Sequence, residues 1–119
     1  YVLARAATTL AAQLGAKALF VYTRSGKSAE TLSLHRPDMP VYALTPEPQT
    51  ARRLSLWYGV EAILSPLTEE LEPMFEQGIS TLCERGSVSP GDLVVLFGSS
   101  PVSVGGPPNL INVRIVPEP

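Results

Sequence analysis

Four apolar runs of strand length, Lys17 to Tyr22, Val41 to Leu44, Val60 to Leu64 and Leu93 to Phe97, alternate with stretches of helical period. That alternation leaves few folds open. A strand, a helix and a second strand joined by short links return parallel through a right-handed crossover, so the chain builds a mostly parallel sheet between layers of helices. A fifth run, Leu110 to Val116, follows Phe97 through a loop without a helical segment. This last strand is expected antiparallel, at an edge.

Local signals set the elements between the runs. Leu3, Ala7, Leu10 and Leu14 recur at helical spacing and Gly15 follows where a left-handed cap is wanted, which predicts a helix over residues 2 to 14 with those side chains inward. Ala29 to His35 reads as a short helix stopped by Arg36-Pro37, its cations at the end the helix dipole favours. Thr45-Pro46-Glu47 has the hydroxyl, proline and carboxylate of a helix start, with Ala51, Leu54 and Tyr58 as the buried face before Gly59. Thr68-Glu69-Glu70 opens another helix, whose Leu71, Phe75, Ile79 and Leu82 form a stripe ending near Gly86. Pro90-Gly91-Asp92 turns into Leu93 to Phe97, which lacks alternation and so reads as a strand covered on both faces. Residues from Gly98 to Pro108 form a connecting loop rich in Gly, Pro and Ser.

Composition narrows the class further. A chain of 119 residues with 45% hydrophobic content suits a single domain over residues 1–119. Its net charge is −2 and its nine Lys and Arg are scattered, so neither a nucleic acid nor an anionic membrane is an expected partner. The lone Cys83 and the lack of a signal-peptide pattern fit a reducing cytoplasm. The sequence opens on Tyr1 inside a helical pattern, with no methionine or lead-in, as expected of a fragment of something longer.

The candidate site is the turn Thr23-Arg24-Ser25-Gly26-Lys27-Ser28 between the first strand and the following helix. Hydroxyls from Thr23, Ser25 and Ser28, cations from Arg24 and Lys27, a permissive Gly26 and the N–H groups of a helix start are the donors a phosphate monoester needs. In open sheets of this kind ligands sit beyond the carboxyl ends of the strands, where the winding reverses. With the first strand central, the segment Thr45 to Arg53 and the loop after Phe97 would reach the same rim. Arg52 and Arg53 are candidates for a second phosphate contact, although arginines on a helix surface are more commonly solvated or paired with nearby acids. The six residues also read as an ordinary polar turn with Ser25 or Ser28 capping a helix. A nucleotide P-loop is excluded, because the first glycine of that pattern would fall at Val21. His35 has no companions for a metal site or a triad, Cys83 reads as a structural thiol, and Trp57 and Tyr58 read as packing residues. The chain thus carries binding groups without a matched acid, base or nucleophile.

Taken together and in order, Leu14 to Ala18, Thr23 to Ser28, Arg36-Pro37, Pro40 to Thr45, Gln49 to Arg52, Tyr58-Gly59-Val60, Pro90 to Val95, Pro101-Val102, Gly106 and Asn109-Leu110-Ile111 resemble the carboxy-terminal domain of pyruvate kinase. The resemblance runs through essentially all 119 residues. It implies a five-stranded sheet in the order 3-2-1-4-5 with the last strand antiparallel, in an α/β/α sandwich. It implies a cytoplasmic, glycolytic parent that transfers phosphate from phosphoenolpyruvate to ADP, giving pyruvate and ATP. The catalytic barrel with its magnesium and potassium would lie outside this chain, which would hold no catalytic residue, cofactor or metal of its own.

For this piece the resemblance implies regulation and assembly. A phosphorylated allosteric effector would bind at Thr23, Arg24, Ser25, Gly26, Lys27 and Ser28, and the loop carrying Ser103, Gly105, Gly106 and Asn109 would close over it. The last strand and neighbouring helices would join subunits into a homotetramer. A polar pair often found before the asparagine is replaced here by Pro107-Pro108, which offer neither N–H nor hydroxyl. A sugar monophosphate or AMP is therefore a better-suited effector than a sugar bisphosphate. Two other readings stay open: a free-standing binder of phosphorylated small molecules, and a purely structural interface module in which Arg114 on the edge strand faces a symmetry mate.

Overall fold

In the computed structural model, residues 2–23, 26–64, 71–98 and 110–116 are described. The elements run α1 (Val2–Leu14), β1 (Ala18–Tyr22), α2 (Lys27–Leu34), β2 (Val41–Thr45), α3 (Pro48–Leu54), β3 (Val60–Leu64), α4 (Leu71–Glu84), β4 (Leu93–Gly98) and β5 (Leu110–Ile115). The five strands form one sheet in the order β3-β2-β1-β4-β5. Pairings among β1 to β4 are parallel, with Leu19 opposite Val41 and Val95, while β5 runs antiparallel to β4 with Val113 opposite Val95. The expected class, order and edge orientation are those observed.

Two apolar clusters fill the faces of the sheet. On one side Ala4, Ala7 and Ala11 of α1, Ala29 and Leu32 of α2 and Leu54 of α3 pack on Leu19, Val21, Val41, Ala43, Val95 and Phe97. On the other, Ile79 and Leu82 of α4, with Val88 and Val116, cover Phe20, Tyr42, Leu44, Val94 and Leu96. Leu19, Phe20 and Val21 are fully buried. Successive residues of a strand face opposite ways, so a strand covered twice is apolar throughout. Across β1 and β2 the rings of Phe20 and Tyr42 lie tilted, with centroids 5.7 Å apart, a favourable cross-strand pair.

Small residues decide how close two of the helices come. The inward face of α1 is the alanine stripe, while Leu14, expected inside, is 46% exposed. Alanines let that helix lie against β4 and α2, and Leu14 turns outward from the seam. In α4, Gly78 passes over β2 so closely that a Cβ would stand 3.1 Å from Leu44 Cδ2.

Three differences from the sequence reading bear on the surroundings of the site, besides one-residue shifts at the ends of other elements. Helix α2 begins at Lys27 rather than Ala29, with Gly26 as its N-cap. Helix α3 begins at Pro48, because Thr45 completes β2 and its Oγ1 accepts the Glu47 N–H at 3.2 Å, a local turn that delays the helix. Tyr58 is not a buried helix residue: it follows α3, is 53% exposed, and lies beneath the Arg36 guanidinium at 4.7 Å. The Ser89 to Asp92 turn is as read, with Gly91 at φ 91° and the Asp92 N–H donated to the Ser89 carbonyl at 3.0 Å.

Candidate functional site

Strand β1 is where the winding reverses: β2 and β3 lie to one side of it, β4 and β5 to the other. Its carboxyl end is therefore the crevice in which open parallel sheets place ligands, and Thr23 stands there. Its N–H is donated to the Leu44 carbonyl at 2.9 Å, continuing the pairing with β2 by one residue. Its side chain turns inward, 6% exposed, and Oγ1 accepts the Gly26 N–H at 2.8 Å. One hydroxyl and one amide expected to face a ligand are thus joined to each other. A hydroxyl that accepts one bond keeps its own proton to donate.

Gly26 then opens α2 at φ 90°, ψ −5°, and makes no side-chain cap hydrogen bond. Its carbonyl receives the Glu30 N–H at 2.9 Å. The cap is consequently the glycine and not Ser28, which is half-buried in the first turn beside the exposed Lys27. Arg24 and Ser25 lie outside the described residues, as do Ser103, Gly105, Gly106 and Asn109 of the expected closing loop.

The connection after β2 brings a further group to the same place. A Cβ on Gly26 would stand 2.6 Å from Arg53 Nη2, 3.1 Å from Leu54 Cδ2 and 3.3 Å from Thr50 Cγ2. Only a hydrogen at that position lets α3 seat against the turn. Arg53 Nε lies 3.3 Å from Glu30 Oε2, tying the last turn of α3 to the first turn of α2. Of the two arginines proposed from the sequence, it is Arg53 that reaches the turn. Arg52 is exposed, and its carbonyl accepts the Ser55 hydroxyl at 2.7 Å.

Glu30 was not among the site residues read from the sequence, and Thr50 entered only as part of the segment Thr45 to Arg53 expected at the rim. Glu30 looks like an ordinary first-turn acid, and nothing in the spacing of 30 and 53 announces a pair between different helices. His35 is the C-cap residue of α2, and Cys83 is a half-buried free thiol beside the second apolar cluster.

Chemically, the arrangement offers a helix start, a guanidinium and hydroxyls around a glycine, with one carboxylate in attendance. Groups of this kind can take up a small oxyanion, and among the described residues of the turn no nucleophile has an adjacent base. Among the described residues no three His, Cys, Asp or Glu side chains gather to hold a metal ion. No helix among them is long and apolar enough to cross a membrane.

Fold and turn together define an open, doubly wound α/β domain with its polar turn at the switch point of the sheet. A family model for the pyruvate kinase alpha/beta domain matches residues 2–114, and the chain belongs to that family. It is 36% identical over 108 residues to pyruvate kinase of Clostridium acetobutylicum, covering 91% of this chain and 23% of that one. To pyruvate kinase of Staphylococcus aureus it is 31% identical over 106 residues, covering 89% of this chain and 18% of the other. The chain thus spans about a quarter or less of these relatives. Among solved structures, a pyruvate kinase from Cryptosporidium parvum in complex with ADP superposes with a TM-score of 0.88 at 24% identity, over 98% of this chain and 23% of that one. Identity that low speaks to the fold alone.

Proposed function

We propose that this chain is the carboxy-terminal domain of a pyruvate kinase, whose parent transfers phosphate from phosphoenolpyruvate to ADP, and that it binds a phosphorylated effector and joins subunits. The observation that carries the reading is the family match over residues 2–114, combined with a polar turn at the switch point of the sheet. In this reading Thr23, Arg24, Ser25, Gly26, Lys27 and Ser28 hold the effector phosphate, with Arg53 as the second cation. The start of α2 at Gly26, φ 90°, supports it, since a helix start presents backbone N–H groups toward the end of β1. The Thr23 to Gly26 bond narrows the donor set, because that amide serves the turn itself.

Effector binding shifts a population rather than performing chemistry. An effector that prefers the active state of the parent tenfold supplies about 1.4 kcal/mol of bias per site. Calorimetry with fructose 1,6-bisphosphate, glucose 6-phosphate, ribose 5-phosphate and AMP tests the proposal. Heat or stabilisation from a monophosphate, lost in Lys27→Ala/Ser28→Ala, is the expected result. No response to any of the four would leave only the assembly role.

Assembly is supported at the other edge of the sheet. Val113 and Ile115 of β5 are 41% and 65% exposed, and β5 has a strand neighbour on one side only. A strand at the end of the order with exposed apolar side chains is suited to a second copy. Arg114, offered in the sequence reading as facing a symmetry mate, donates from Nε to Asn112 Oδ1 at 2.8 Å.

A further inference from the structure

The Arg53 guanidinium stands between Glu30 and Gly26. Its Nε lies 3.3 Å from Glu30 Oε2, and its Nη2 lies where a Cβ on Gly26 would stand 2.6 Å away. The two ionic side chains come from different helices, and both reach solvent, Arg53 at 52% and Glu30 at 26% exposure. Exposure matters here, because a pair screened by water exchanges partners readily. A carboxylate on the first turn of α2 is also an intramolecular anion: it meets the same cation, beside the same glycine, that a ligand oxyanion at the turn would meet.

We propose that Glu30 is a built-in competitor for Arg53, so that an oxyanion entering the turn takes the guanidinium over from Glu30 and this exchange sets the affinity of the site. The inference rests on the reading of the turn as an anion site and adds to it how that site is regulated. Arg53 acts as a specificity residue and Glu30 as a positioning residue. The planar guanidinium has donors enough to leave one carboxylate and engage a phosphate edge-on. A group with one ionisable oxyanion gains less from the exchange than a phosphate monoester, whose charge at neutral pH approaches two. The device therefore discriminates by charge as well as by shape. It also ties together the connections that follow β1 and β2, because Arg53 must move relative to α2 as the ligand arrives.

The test uses the 119-residue chain with inorganic phosphate and glucose 6-phosphate as probes, following binding by calorimetry in five forms: unaltered, Glu30→Gln, Arg53→Gln, the double variant of these two, and Lys27→Ala/Ser28→Ala. Glu30→Gln is expected to tighten phosphate binding about two- to fivefold, the worth of a half-exposed ion pair. Arg53→Gln is expected to weaken it roughly tenfold, the loss of one charge-assisted contact. In the Arg53→Gln background the Glu30 substitution should lose most of its effect. Through-space repulsion by the carboxylate would instead act alike in both backgrounds, and equal effects would overturn the competition. Unchanged or weaker binding in Glu30→Gln, with binding still abolished by Lys27→Ala/Ser28→Ala, overturns the competitor role and leaves the anion site standing. Absence of phosphate binding in every form, with melting curves showing each folded, removes the anion site and this inference with it.

Discussion

At φ 90° the backbone of Gly26 occupies a region that a side chain disfavours, and a Cβ there would crowd Arg53, Leu54 and Thr50 at 2.6, 3.1 and 3.3 Å. Gly26→Ala is expected to destabilise the chain by about 1–3 kcal/mol in urea unfolding, strain and crowding adding. Thr23 makes a second, separable case. Its Oγ1 accepts the buried Gly26 N–H at 2.8 Å, so Thr23→Val should cost about 1–3 kcal/mol while Thr23→Ser recovers most of it. A loss in the serine variant with the valine variant unaffected would mean that the methyl group, not the hydroxyl, matters there. At Arg36 the structure adopts φ 47° with a residue other than glycine. The guanidinium over the Tyr58 ring at 4.7 Å, and the Ser33 hydroxyl donating to the Tyr58 carbonyl at 2.7 Å, brace the strained cap from outside the helix.

Between elements, closeness depends on residues with little side chain. Gly78 sits inside α4, where alanine would raise helix propensity by about 1 kcal/mol. A Cβ there, however, would lie 3.1 and 3.2 Å from the Leu44 methyls, in a core that is 2% exposed at Leu44. Gly78→Ala is expected to lower stability by about 1 kcal/mol net, and pairing it with Leu44→Val should return part of that loss in a double-mutant cycle. Along α1 the same logic applies to Ala7, fully buried between Ala4 and Ala11. Ala7→Leu should cost about 1–3 kcal/mol by thermal unfolding, since the seam with β4 has no room for three added carbons. The helical period of α1 was plain in the sequence. Which side of it faces the sheet was not, because Leu3, Leu10 and Leu14 and the alanines Ala4, Ala7 and Ala11 both repeat at helical spacing and hydrophobicity alone favours the leucines. Likewise Thr45 carries a helix-start signal, yet pairing with Leu64 on β3 keeps it in the sheet.

For the molecule as a whole, the open question is what lies against β5. Val113 and Ile115 project from an edge strand, and Leu34, Leu56 and Leu64 are also exposed, at 61%, 85% and 58%. If β5 is an assembly edge, Ile115→Lys should shift the chain toward monomer in sedimentation velocity while its melting temperature stays nearly unchanged. An unaltered distribution of species would argue against β5 as the contact. Surface ion pairs are not expected to decide stability: Arg85 to Glu61, at 3.3 Å with both partners about half exposed, is worth under about 1 kcal/mol, and its Arg85→Ala variant should fold as well as the parent.

Strand runs, helix periods, the Ser89 to Asp92 turn and the crossover pattern are written in residues close along the chain, where backbone preference and side-chain alternation act directly. Those signals were enough for the α/β class, the antiparallel last strand and the location of the polar turn. What neighbours in sequence cannot specify is which distant side chains meet. That Arg53 rather than Arg52 reaches Gly26, that Glu30 stands against it, that Thr23 turns its hydroxyl inward and that Tyr58 lies under Arg36 all follow from how two right-handed crossovers seat α2 and α3 side by side on one sheet. Packing decides such contacts, because a rotation of one helix by a single residue exchanges its inward face for another while leaving every local preference satisfied.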